Sequence, residues 1–271
     1  MIEQGSQSSA HRQIAEYVAQ HLRDVSLMSA SDLAEACVVS QATVSRFCMG
    51  LGFTGFAEFV RELQDLIREE WQAPDRVRHL HRTLGEDSDP LITEESANLA
   101  KLPALCASST TKTLVQFVLR FPRIILAGTR ASATVIPYAA YFLSKIRDGV
   151  EIATPETPLW TTLASHPQPD TAVLAFVFPR YSRVQLDWLE DVLQWATPIA
   201  AITDREQSPV SRLARPVAVI PVARASLFDS YAAVMVYINY LVREAAAGTP
   251  QLESRLQALE EYEGRRHVYR P

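Results

Sequence analysis

Residues 30–49 read ASDLAEACVVSQATVSRFCM, and the spacing of small, apolar and hydroxyl side chains in this stretch decides the fold of the first part of the chain. A helix-turn-helix needs a small residue inside its first helix, a tight turn, and an aliphatic residue that anchors the second helix on the first. Ala34, the Val38-Val39 turn and Val44 fill these roles in order, and Leu33 and Phe47 add core contacts. Ser31 or Asp32 can cap the first helix, and Ser40 can cap the second by accepting a free backbone N–H. Val38 stands where such turns usually place glycine. A β-branched residue is costly at positive φ, so the turn is either strained or built differently.

With Ser40 as cap, Gln41, Ala42, Thr43, Ser45 and Arg46 fall in the opening turns of the second helix, the part that enters a major groove. Gln pairs with adenine, Arg with guanine, and Ser or Thr with phosphate or base edges. Ser40, Gln41, Thr43, Ser45 and Arg46 are therefore the candidate DNA-contacting residues; the plain alternative is a surface helix whose polar side chains face water. Residues 1–76 hold six Arg against eleven acids, so attraction to phosphate has to be local and binding salt-sensitive. The whole chain carries a net charge of −5, which argues against a generally basic surface.

Working outward, Ile14, Tyr17, Val18 and Leu22 recur at helical spacing, as do Phe56, Phe59, Val60, Leu63 and Ile67. Residues 73–90 are polar, contain Pro74, Gly85 and Pro90, and read as a connector. A helix is expected from Thr93, with Glu94 and Glu95 where its dipole favours acids. From about Thr113 short apolar runs alternate with helical patterns. Strands are expected over 123–127, 150–153, 171–178, 198–203 and 217–222, and helices over 136–146, 184–195 and 230–247. Such alternation builds a parallel sheet covered by helices on both faces. The expected organisation is an all-α helix-turn-helix domain over 1–76, a linker and connecting helix over 77–106, an α/β domain over 107–248, and a C-terminal helix and tail over 249–271.

No apolar run approaches the roughly 18 residues of a spanning helix, and the first residues lack the apolar core of a secretory signal. Cys37, Cys48 and Cys106 are few and odd in number, with no CxxC pair, so neither a disulfide framework nor zinc is suggested. A cytoplasmic protein without metal or cofactor is expected.

Open parallel sheets bind ligands beyond the carboxyl ends of their strands, where helix N-termini offer N–H groups to an anion. Strand 123–127 runs into Gly128-Thr-Arg-Ala-Ser132, and strand 171–178 into Pro179-Arg-Tyr-Ser-Arg183. Gly128, Thr129, Arg130, Ser132, Arg180, Tyr181 and Ser182 thus arrive at one end of the sheet as candidate effector-binding residues. Either segment alone is equally well a polar strand-to-helix turn.

The run Leu33-Ala34…Ser40-Gln-Ala-Thr-Val-Ser-Arg-Phe-Cys48…Leu51-Gly-Phe-Thr-Gly-Phe56 resembles the signature of the MurR/RpiR family of bacterial transcriptional regulators. The resemblance implies an N-terminal helix-turn-helix followed by a sugar isomerase (SIS) domain. It also gives roles to Gly52, at the end of the second helix, and to Gly55, in the bend that follows, and makes Phe53, Phe56 and Phe59 core. SIS domains usually carry G-x-G-x-S after the first strand and S-x-S-G-x-T after the second loop-bearing strand. Here Gly128 and Ser132 remain, Arg130 replaces the second glycine, and only the hydroxyl of Ser182 survives in the other loop. Arg130 and Arg180 stand as substitute charge partners, and Arg suits carboxylate as well as phosphate.

The expected function is that of a regulator that binds double-stranded operator DNA, as a homodimer or tetramer, and senses a small anionic metabolite, a phosphosugar or sugar acid. No catalytic residue is assigned: His166 and Glu156 near the second strand's end have no recognisable partner, and no nucleophile elbow surrounds Ser132. The rivals are a sugar-phosphate isomerase with an accessory helical domain, and a dimeric DNA-binding protein whose SIS domain holds no ligand.

Overall fold

The computed structural model describes residues 9–67, 73–83 and 90–268. The chain divides into two compact units, one of residues 1–87 with 226–228, the other of 88–225 with 229–271.

The first unit is helical: α1 Ser9–Gln20, α2 Leu22–Val25, α3 Ala30–Ala36, α4 Gln41–Gly50, α5 Phe56–Ile67 and α6 Ala73–Thr83. Its core gathers Ile14, Val25, Leu33, Val44, Phe47, Phe59 and Leu63. Phe59 is the hub of the aromatic part, 5.5 Å from Phe53 and 6.3 Å from both Phe47 and Phe56 between ring centres. These phenylalanines are core, as the family signature implied.

Three local expectations are corrected. The cap of α3 is Ser29, not Ser31 or Asp32: the Asp32 N–H donates to Ser29 Oγ at 3.2 Å, and the Ser29 N–H to Asp32 Oδ2 at 2.7 Å. Asp32 therefore serves as the far half of a capping box. Residues 73–83, expected to be part of a connector, form α6. Pro74 lies in its first turn, where the missing N–H costs nothing, and buried Asp75 accepts from the guanidinium groups of Arg23 and Arg78. Gly55 needs no special freedom, since its φ is negative and a Cβ would meet nothing within 4 Å. Gly52 does: at φ 96° it closes α4, with Gly52 N–H on Met49 O at 3.0 Å and Phe53 N–H on Cys48 O at 3.2 Å. That pair of bonds is a Schellman ending.

The second unit begins with α7 Pro90–Ala107, three residues earlier than Thr93, and α8 Ser109–Arg120. There follow β1 Arg123–Ala127, a 3₁₀ turn Arg130–Val135, α9 Ile136–Ile146, β2 Val150–Ala153, α10 Pro158–Ser165, β3 Thr171–Phe176 and α11 Arg183–Gln194. β4 Ile199–Thr203, a 3₁₀ turn Pro209–Arg212, β5 Val217–Val219, α12 Ala232–Ala247 and α13 Leu252–Arg265 complete it. The five strands are parallel in the order β2-β1-β3-β4-β5.

Alternate side chains of β1 and β3 enter different cores. Ile124, Leu126, Leu174 and Phe176 pack with α7, α8, α9 and α12, while Ile125, Ala127, Val173 and Ala175 pack with α10 and α11. Strands buried on both faces read as unbroken apolar runs, which is why they were visible in the sequence. On the second face Trp160 stacks on Trp188 at 4.0 Å, and Trp188 Nε1 donates to Trp160 O at 2.8 Å.

Candidate functional site

The helix-turn-helix is built from α3, α4 and the turn 37–40. Val39 N–H reaches Ala34 O at 2.8 Å, and Val38 N–H reaches Glu35 O at 3.0 Å. Val38 adopts φ 50° and is 86% exposed. The turn therefore keeps the glycine-type geometry, and the β-branched side chain carries the strain. Ser40 caps α4: its Oγ accepts from Thr43 N–H at 3.2 Å and lies 2.9 Å from Thr43 Oγ1. Val44, Phe47 and Cys48 face inward, while Gln41 and Arg46 are exposed. The amide of Gln41 donates to Ser31 Oγ, tying the start of α4 to α3, and Arg46 Nη2 lies 3.4 Å from Thr43 Oγ1. Ser40, Gln41, Thr43, Ser45 and Arg46 thus share the first two turns, none of them buried.

In the second unit the loops after β1 and β3 leave adjacent strands at the same end of the sheet. Gly128 leaves little room for a side chain. A Cβ there would lie 2.9 Å from Ile136 Cδ1 and 3.3 Å from the Ser132 carbonyl oxygen. Thr129 and Ser132 are buried and turned inward. Ser132 Oγ accepts the Phe178 N–H at 3.1 Å, and Thr129 Oγ1 donates to Gln185 Oε1 at 3.2 Å. Arg130, at φ 51°, and Arg180 are exposed. Ser182 precedes α11 without making a side-chain cap. Tyr181 reaches sideways, its hydroxyl donating to Asp204 Oδ1 at 2.6 Å, with the Arg205 guanidinium 5.4 Å from its ring centre.

Three residues that the sequence reading passed over organise this end. Buried Gln185 straps the loops together, with Nε2 on Phe176 O at 2.9 Å and on Ala127 O at 3.4 Å while Oε1 holds Thr129. Its signal was a polar residue on the buried stripe of α11, in register with Trp188, Leu189 and Val192. Asp204 and Arg224 form a buried ion pair at the end of β4. Asp204 was findable as the acid directly following a strand's carboxyl end. Arg224, in a loop, had no local signal. Glu94 fixes that loop by accepting the Arg224 N–H at 2.7 Å and the Ala225 N–H at 2.8 Å.

The position expected for His166 is corrected. α10 carries the chain back across the sheet, so His166 lies where the chain approaches the amino end of β3, exposed and 3.0 Å from Ser165 Oγ. It belongs to the opposite end from Ser132. A cavity of about 630 Å³ along β5 is lined by Ser108, Thr111, Arg215 and Ile220 among others, and the loops after β1 and β3 take no part in it. Among the described residues no group of three His, Cys, Asp or Glu could hold a metal ion, and no helix is long and apolar enough to cross a membrane.

Residues 3–70 match the family model of the helix-turn-helix domain of the rpiR family, and residues 120–243 that of the SIS domain. The chain belongs to the MurR/RpiR family. Its order of domains is that of a transcription regulator, with a DNA-binding head followed by a carbohydrate-binding type of domain. The second unit is similar in fold to the sugar isomerase domain of an RpiR transcription factor from Sphaerobacter thermophilus (22% identity, 63% of this chain and 96% of that one, TM-score 0.58). Over 97% of this chain and 95% of the other, the RpiR-family architecture also matches the Vibrio vulnificus NanR protein complexed with ManNAc-6P (20% identity, TM-score 0.55). A Methanococcus jannaschii protein whose structure infers 3-hexulose-6-phosphate isomerase function shares the fold at 13% identity, over 60% of this chain and 93% of that one, with TM-score 0.50. The SIS fold therefore occurs with isomerases as well as with regulators.

Proposed function

We propose that this protein is a transcription regulator that reads operator DNA through the first two turns of α4 and senses a small anionic metabolite, a phosphosugar or sugar acid, at the loops after β1 and β3. The observation that carries the reading is the helix-turn-helix itself. α4 has a capped N-terminus and presents Gln41 and Arg46 to solvent, ahead of a SIS domain. Ser40, Thr43 and Ser45 supply phosphate or base-edge contacts beside them. Two copies, as a homodimer or tetramer, would place two recognition helices about one or more helical turns apart on a partly palindromic site in the cytoplasm.

At the second site Gly128, Thr129, Arg130, Ser132, Arg180, Tyr181 and Ser182 surround the effector. The NanR complex with a sugar phosphate supports the ligand class, and Arg130 and Arg180 supply charge where the usual loop hydroxyls are missing. The protein is read as a regulator and not an enzyme, because the domain order is that of regulators and Ser132 and His166 lie at opposite ends of the sheet. Effector binding shifts the balance between DNA-competent and incompetent states, which needs a differential affinity of about 1–3 kcal/mol.

A gel-shift and footprint series tests the head. Arg46→Ala is expected to weaken specific binding by about 1–3 kcal/mol. An unchanged footprint and affinity rejects the assignment. Arg180→Ala is expected to remove ligand-induced release, and normal release in that variant rejects the pocket.

A further inference from the structure

Glu95 and Asn98 stand one turn apart on the stripe of α7 that carries Leu102 and Cys106 into the core shared with α12. Glu95 is 7% and Asn98 4% exposed. Both carboxylate oxygens of Glu95 and the Nδ2 of Asn98 are buried without a hydrogen-bond partner among the described residues. A carboxylate in that position opposes folding unless something outside the chain's own side chains supplies donors. The two side chains do not satisfy each other, although their spacing would let them meet.

Glu94, the preceding residue, holds the Arg224 and Ala225 N–H groups, and Arg224 pairs with Asp204, which holds Tyr181. α12, against which α7 packs, starts beside Tyr231, whose ring lies 5.0 Å from that of Phe178, the residue whose N–H rests on Ser132. The start of α7 is therefore anchored at the same end of the sheet as the loops read as the effector site.

We propose that Glu95 and Asn98 form a hydroxyl-recognising subsite of the effector pocket. Two acceptor oxygens and one amide donor match a pair of neighbouring hydroxyls, which donate to the carboxylate while one oxygen accepts from Asn98. An ammonium group would satisfy Glu95 but leave the Asn98 N–H unpaired, and a second anion would be repelled. The inference rests on the reading of the second unit as a metabolite sensor, and assigns the discrimination between a bare anion and a hydroxylated one to α7.

The test uses the full chain with inorganic phosphate, hexose and N-acetylhexosamine 6-phosphates, and six-carbon sugar acids as probes, followed by thermal shift and calorimetric titration. Wild type is expected to bind at least one hydroxylated probe more tightly than phosphate. Glu95→Leu and Asn98→Leu are expected to weaken that probe at least tenfold and leave phosphate binding unmoved. Without probe, Glu95→Leu is expected to raise Tm by about 3 °C, because a stranded buried carboxylate is gone. Unchanged affinity for the hydroxylated probe in both variants overturns the subsite and leaves the sensor standing. A lower Tm of the unliganded Glu95→Leu protein also overturns it, by showing Glu95 to be a structural group. If no probe binds wild type, the sensor reading fails and the subsite with it.

Discussion

Replacing Gln185 by leucine tests what holds the two ligand-side loops in place. Leucine has nearly the volume of glutamine, so the packing around α11 survives while the polar strap is cut. Three bonds disappear, to Phe176 O at 2.9 Å, to Ala127 O at 3.4 Å and from Thr129 at 3.2 Å. The longest contributes little. The other two are worth about 1 kcal/mol each, and stranding the buried Thr129 hydroxyl costs about another 1–3 kcal/mol. Part of the loss is offset by burying leucine carbon, at about 25 cal/mol per Å². The net expectation is a destabilisation of about 2–4 kcal/mol, or a fall in Tm of roughly 4–16 °C for a domain of this size. Thermal unfolding followed by circular dichroism measures it, and the double variant with Thr129→Val supplies the control. Valine removes the stranded hydroxyl, so the second substitution is expected to cost at least ~0.5 kcal/mol less in the Gln185→Leu background than in wild type. A Tm within 1 °C of wild type, or strictly additive single effects, refutes the strap.

Two further expectations concern the DNA-binding head. Val38→Gly relieves the positive φ of an exposed β-branched residue and is expected to stabilise by about 0.5–1 kcal/mol in chemical unfolding, against the usual penalty for added glycine. Burial pushes the Cys48 thiol up to about 11 from 9.0. A thiol that ionises later in the folded state leaves stability untouched below pH 9. Between about pH 9 and 11 the unfolded chain loses its proton first, so stability falls by up to roughly 2 kcal/mol. Unfolding curves across that window are expected to flatten in Cys48→Ala.

The strands were legible because a parallel strand covered on both faces has no polar positions to interrupt it, as Thr171–Phe176 shows. α4 was legible because cap, anchor and ending glycine all sit within the chain's own near neighbourhood. α6 was not. Its composition is polar and Pro74 suggests a break, while the Arg23 that holds Asp75 lies far away in sequence. The same reason hid most of the second site. Gly128 and Ser132 announce themselves by position, but Thr129 acts through Gln185, Tyr181 through Asp204, and Asp204 through Arg224. Each partner is brought in by topology, and only a polar side chain on a buried helical stripe, as at Gln185 and Glu95, leaves a trace in the sequence.

The parallel indoles of Trp160 and Trp188 give the second unit an optical signature of its own. Two aromatic chromophores held face to face in a fixed environment produce near-ultraviolet dichroism that disappears when packing loosens, even if helices persist. Loss of packing on that face of the sheet can thus be followed without any label, in the intact chain.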